Sequence, residues 1–211
     1  MYGNCIERGF TLKTKGYFGF IIPVAITCSK RMQKVIDFFN KKSSITYFAN
    51  FDDRPGKLFE MIQHLRATIF IAKTTPRTNS NEKFFSTKYN RWYSECRASL
   101  FNNIVYQDVY NIVKEYIVPK ISYDVEASIY DKINKSKGRL GLTFANSYTP
   151  DSAYYRAAGG GYFNLIKIKE SETIINGIKE KVKAEKRICI KEEYSNVSIG
   201  SIMSSTLFYW L

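Results

Sequence analysis

Apolar and polar positions along this chain follow more than one rhythm. In residues 2–15, Ile6, Phe10 and, more loosely, Tyr2 and Leu12 share one side of a helical wheel, and Gly16 ends the run, which predicts a short helix. Residues 17–27 (YFGFIIPVAIT) form a continuous apolar run rich in β-formers. Such a run suits a strand covered on both faces, as in a mostly parallel sheet. Ser29 stands as an N-cap before Met32, Val35, Ile36 and Phe39, which recur at helical spacing with Lys and Arg opposite. Residues 44–51 (SITYFANF) read as a second strand, 52–56 (DDRPG) as a loop and 66–73 (RATIFIAK) as a third strand. Strand, helix, strand, loop, strand is the opening of an α/β sheet.

After Thr74 the pattern breaks. Residues 74–82 (TTPRTNSNE) are polar, contain a proline and read as a linker, which divides the chain into segments 1–75 and 76–211. Beyond it, residues 84–97 (FFSTKYNRWYSECR) and 110–121 (YNIVKEYIVPKI) mix aromatic and basic positions. A helix is expected over 127–137. A strand, a glycine turn and a second strand are expected over 154–169, and residues 170–186, where Lys and Glu alternate, read as a solvated helix or hairpin. The sequence closes on LFYWL, an apolar aromatic stretch where termini are normally polar, which implies that the natural polypeptide or its ancestor continued. No internal repeat is evident.

Composition narrows the function. The chain has 211 residues, 45% of them hydrophobic, enough for a real core. Its formal net charge of +13 favours a polyanion, either nucleic acid or an acidic membrane surface. The longest nearly uncharged apolar run, 17–27, is too short to span a bilayer and contains Pro23, and the N-terminus lacks a signal-peptide pattern. No membrane association and a cytoplasmic location are therefore expected. Cys5, Cys28, Cys96 and Cys189 are scattered without a CxxC pair, the pattern of reduced thiols rather than a zinc site or disulfide framework. With His64 as the one histidine, a histidine-rich metal site or histidine base is set aside, while a lone carboxylate base is not.

The segments GYFGFIIPVAITCSKRMQKVIDFF, ITYFANFDDRPGKLFE and HLRATIFIAK together resemble the second half of the catalytic domain of N6-adenine DNA methyltransferases. The nearest type is the restriction–modification enzyme that carries modification and target recognition on one chain. The opening IERGFTLKTKGYFGFIIP resembles the helix and strand that follow the catalytic tetrapeptide, and TKYNRWYSECRASLF and YYRAAGGGYF resemble parts of the target-recognition region. The resemblance implies an α/β fold: a partial, Rossmann-like methyltransferase sheet through about residue 75, its last two strands an antiparallel hairpin at the sheet edge, then an α+β recognition domain. It implies double-stranded DNA as partner and S-adenosylmethionine as cofactor of the complete enzyme. The family's glycine-containing cofactor turn and Asn-Pro-Pro-Tyr tetrapeptide are both missing here, and Gly159–Gly161 do not follow a first strand and open a helix. The chain alone is expected to bind no cofactor and to methylate nothing. A half sheet exposes an edge and an apolar face, so a partner chain supplying the N-terminal catalytic half, or self-association, is expected.

Candidate site residues follow from that resemblance and from residue chemistry. Phe59 matches the family's aromatic residue that packs against an extruded adenine; alternatively the neighbouring Leu58 is the packed residue and Phe59 an ordinary core ring. In the DDRPGK loop, Arg54 and Lys57 are candidate phosphate contacts, while the two Asp read as structural, an Asp–Arg pair holding the turn. Adjacent acids without an evident third ligand are a weak metal signal. Lys88, Arg91, Trp92 and Arg97, interleaved with Tyr89 and Tyr93, offer phosphate contacts and stacking surfaces; alternatively Trp92 is core and Arg91 pairs with Glu95. Arg156 and Tyr162, flanking the glycine run, suit a hairpin entering a DNA groove or a plain surface hairpin. His64 reads as a structural or rim residue. The competing class is a non-enzymatic nucleic-acid-binding or assembly module, which charge and aromatic content also fit.

Overall fold

Helix α1 (Tyr2–Leu12) buries Ile6 and Phe10 and leads into strand β1 (Gly16–Pro23). Two short 3-10 turns, Val24–Thr27 and Lys30–Met32, then carry the chain into helix α2 (Gln33–Lys42), which buries Ile36 and Phe39. Ser29 precedes the second turn without a side-chain capping bond, so the helix begins later than its predicted cap. Strands β2 (Ser43–Phe51), β3 (Ala67–Thr74), β4 (Lys83–Ser86) and β5 (Gln107–Asp108) complete a five-stranded sheet of order β1-β3-β2-β4-β5. In this computed structural model the described residues are 2–13, 15–62, 64–74, 83–156, 166–182 and 185–210, with backbone only at 209 and 210.

β3 lies antiparallel to both β1 and β2, so β1 and β2 run parallel to each other, and β4 joins β2 in parallel. The sheet is therefore mixed and the fold class α/β. The hairpin of β2 and β3 forms as expected but is not at the sheet edge, because β4 and β5 extend the sheet beyond β2. The strand that follows residues 75–82 is thus hydrogen-bonded into the first sheet. The two compact units divide at Asn134/Lys135, well after the predicted boundary at 75/76.

The two faces of the sheet differ. One is sealed by α1 and α2 around Phe39, Phe48, Phe70 and Phe84, all essentially inaccessible. Their rings meet edge to face, Phe39 lying 4.9 Å from Phe70 and 5.5 Å from Phe48. Such aromatic pairs contribute about 0.5–1.5 kcal/mol each beyond area burial. On the other face a smaller cluster of Ala49, Phe51 and Trp92, with Leu58, Ile69, Leu100 and Ile104, covers one end. Tyr17, Ile21 and Ile71 stay 57%, 51% and 45% exposed. β1 was expected to be covered on both faces; it is instead an outer strand with one open face, and among the described residues only β3 pairs with it. Its attachment is close: a Cβ on Gly19 would lie 2.3 Å from the Phe70 carbonyl oxygen.

Helix α3 (Asp124–Lys135) follows. The second unit pairs β6 (Ser152–Arg156) with β9 (Glu185–Cys189) and builds a separate hairpin from β7 (Glu172–Ile175) and β8 (Ile178–Lys181). Of the two readings for residues 170–186, the hairpin is the one that forms, turning at Asn176 and Gly177 with positive φ. Helix α4 (Asn196–Met203), capped by the Ser195 side chain on the Ser198 amide, packs Ile199 and Met203 with Ala153 and Ile190, and α5 (Thr206–Trp210) follows. Among the described residues no helix is long and apolar enough to cross a membrane.

Candidate nucleic-acid interface

Because β1, β2 and β4 run in one direction, their carboxyl ends, Pro23, Phe51 and Ser86, lie at the same end of the sheet. That is where open α/β sheets generally bind ligands. Three connections meet there: the turn after β1, the 52–66 loop and residues 87–91.

Buried Asn50 ties the last two together. Its side-chain amide donates to the Thr87 carbonyl (2.7 Å) and Ser86 Oγ (3.3 Å), its Oδ1 accepts from Thr68 (2.8 Å), and its carbonyl accepts from the Asn90 amide (2.8 Å). Buried polar side chains are for the most part satisfied in this way. Asp52 follows it, 1% exposed in its side chain. Its Oδ1 accepts from Arg66 Nε at 2.9 Å and its Oδ2 from Arg91 Nε at 2.6 Å, with the Asp53 amide also donating to Oδ1. Burial alone would raise its pKa, but the Arg91, Asp53 and Arg66 donors outweigh burial and hold the carboxyl below the usual carboxylate range.

Tyr89 sits between two cations, the Arg66 guanidinium 5.4 Å and the Lys120 ammonium 5.8 Å from its ring centre. Burial pushes the Tyr89 hydroxyl up and the Lys120 ammonium down. Lys88, exposed, lies 5.1 Å over the ring of Tyr123. Arg54, exposed, has Nη2 at 3.3 Å from His64 Nδ1, and His64, with φ of 57°, closes the loop beside Asp53.

The 52–66 loop is pinned at its base and bare at its tip. The Gly56 amide donates to the Trp92 carbonyl at 2.7 Å, and Arg97 donates through both terminal nitrogens to the carbonyls of Lys57 and Leu58, each at 2.8 Å. A Cβ on Gly56 would lie 2.6 Å from Trp92 Nε1, so only glycine lets the loop approach. Leu58 packs into the Phe51–Trp92 cluster, while Phe59 is 40% exposed. Of the alternatives for this pair, Leu58 is the packed residue and Phe59 is not a core ring.

The remaining candidates separate. Trp92 is not a contact surface: it is 7% exposed and edge-on to Phe51 at 5.7 Å, because β2 and the loop base close over it. Its indole N–H has no hydrogen-bond partner among the described residues. Arg91 pairs with Asp52 rather than Glu95, yet keeps 59% of its side chain exposed. Both Asp play the structural part expected of them, Asp52 with Arg66 and Arg91 and not with the neighbouring Arg54. Lys57 is exposed on the loop, and Arg156 is exposed at the end of β6 in the second unit. Tyr162 and the glycine run 159–161 lie outside the described residues, between flanks that Tyr154 and Lys167 pair through two backbone hydrogen bonds. Asn50, Arg66 and Lys120 were not singled out from the sequence. Only the polar Asn inside the aromatic run YFANF carries a local signal.

Among the described residues, neither β1 nor β2 ends in a glycine turn that opens a helix. β1 ends in Pro23 and a 3-10 turn, and Gly56 after β2 packs on Trp92 instead of opening a helix. Comparisons of the chain with protein-family profiles, with curated proteins and with solved structures find no match.

Proposed function

We propose that this chain is the DNA-gripping portion of an N6-adenine DNA methyltransferase of the restriction–modification type, with methyl-transfer chemistry supplied by a partner chain. One observation carries the reading. The loop leaving β2 anchors Leu58 in the core and presents Phe59 exposed, beside Arg54 and Lys57, at the carboxyl ends of the parallel strands. An accessible aromatic face compensates an unstacked base by about 1–3 kcal/mol. Exposed Lys88 adds phosphate-seeking charge at the same end. The edge of β1, unpaired among the described residues, and the apolar face of Tyr17, Ile21 and Ile71 support the second half of the reading, since a partner carrying the missing strands would pair with the one and cover the other.

The test is a mobility-shift series on duplexes of varied sequence at two salt concentrations, with calorimetry against S-adenosylmethionine. The reading expects duplex binding with some preference for sequence and no cofactor binding by the isolated chain. Clear micromolar cofactor binding, or no affinity for any duplex, overturns it.

A second reading draws on the open face. Tyr47 stacks on Phe85 at 4.9 Å and 13°, Lys83 lies 5.9 Å from the Phe85 ring, and Lys73 lies 5.7 Å from that of Tyr17. Aromatic rings with flanking lysines suit a non-enzymatic single-strand binder. Tighter binding to single strands than to every duplex would favour it.

A further inference from the structure

The tip of the 52–66 loop reverses the polarity expected of a loop. Beyond Leu58, Phe59 is 40%, Met61 95% and Ile62 46% exposed, and Glu60 is the one charged residue among them. Loop tips are ordinarily polar, and an apolar group held in water signals a surface meant to be covered. The base of this loop is fixed by Arg97 on two carbonyls, by the Gly56–Trp92 hydrogen bond and by Leu58 in the core. The exposed tip therefore follows directly on a firmly held stem, in which Arg54 and Lys57 are also exposed. We propose that Met61, backed by Ile62, is a wedge that enters the base stack of duplex DNA and unstacks one step.

The inference rests on the DNA reading above and extends it. Met and Ile are among the side chains that DNA-bending proteins drive between base pairs, and the unstacking is compensated by the contacts it permits. Here the compensation is adjacent: a base released next to Met61 lies within one or two residues along the chain of Phe59, while Arg54 and Lys57 take neighbouring phosphates. An anionic lipid surface is the rival occupant of an apolar tip backed by cations. It fits less well, because stable membrane docking needs a broad apolar face or a second anchor, whereas this tip is a single turn.

The test uses the full chain with duplex DNA carrying 2-aminopurine at scattered adenines, whose fluorescence rises on unstacking. The expected result is a several-fold rise with the unaltered protein. Met61→Ser/Ile62→Ser loses the rise while keeping detectable duplex binding. Lys57→Ala keeps the rise at saturation but lowers the salt slope of binding by about 1. Duplex binding without any rise, or a rise that survives the double substitution, overturns the wedge and leaves the DNA reading standing. Absence of duplex binding overturns both. A Met61→Trp probe separates the rival: a spectral shift with duplex supports the wedge, and a shift with phosphatidylserine vesicles but not with duplex overturns it.

Discussion

The two faces of the five-stranded sheet are built from similar residues and reach different ends. Under α1 and α2, Phe39, Phe48, Phe70 and Phe84 are wholly enclosed, and that layer is complete within one chain. On the reverse side, enclosure stops with the Phe51–Trp92 cluster, and Tyr17, Ile21 and Ile71 face outward. Adjacent residues of one strand, Phe70 and Ile71, fall on opposite sides of this division. The contrast teaches that apolar content does not measure completeness: one face is enclosed from end to end, while the other is enclosed at one end only.

The comparison breaks most sharply under truncation. Phe70→Ala removes a ring from the sealed side and is expected to cost about 3–5 kcal/mol in denaturant unfolding. Ile71→Ala on the open side is expected to stay within about 0.5 kcal/mol; equal costs would mean that the open face is already covered. Next in size is Asp52→Asn, which removes the buried charge and turns one of the two oxygens that accept from Arg66 and Arg91 into a donor, with an expected loss of about 2 kcal/mol. This effect depends on pH. The folded carboxyl is held below its unfolded value, so its contribution is full at neutral pH and above, and is lost as pH falls through the folded value, below about 4. Unfolding midpoints measured across acid pH should show a steeper fall for the unaltered protein than for the variant. On the open side, Ile21→Lys and Ile71→Glu should leave unfolding unchanged but abolish self-association in sedimentation. A monodisperse unaltered monomer that binds no hydrophobic dye would remove the case for a partner. Smallest is Lys57→Ala, expected to weaken duplex binding uniformly across sequences and to lower its salt slope by about 1.

The parts of this molecule legible in its sequence are those whose signal is local. Met32, Val35, Ile36 and Phe39 repeat at helical spacing, and helix α2 stands there; SITYFANF and RATIFIAK are short apolar runs rich in β-formers, and they pair as β2 and β3. The run YFGFIIPVAIT misled for a physical reason: an outer strand with one unfinished face and a central strand carry the same apolar residues, and only the neighbours differ. β4 crosses from residue 83 to residue 45 in parallel, a pairing that no short window contains. At the candidate site the exposed Phe59 and Lys57 were readable from their loop. The Asp52 ion pairs were not, because Arg66 and Arg91 lie 14 and 39 residues away. Trp92 illustrates the ambiguity of aromatic-basic stretches, since an indole among cations has the same sequence signature whether it meets a base or fills a core.

Gly19 sets a condition on anything that settles against this sheet from outside. With no side chain opposite the Phe70 carbonyl, β1 lies flush along its full length. One added methyl at that position would prise the outermost ribbon away from its neighbour. Any chain that zips onto the free rim of β1 is therefore held through a seam whose closeness depends on one missing carbon atom.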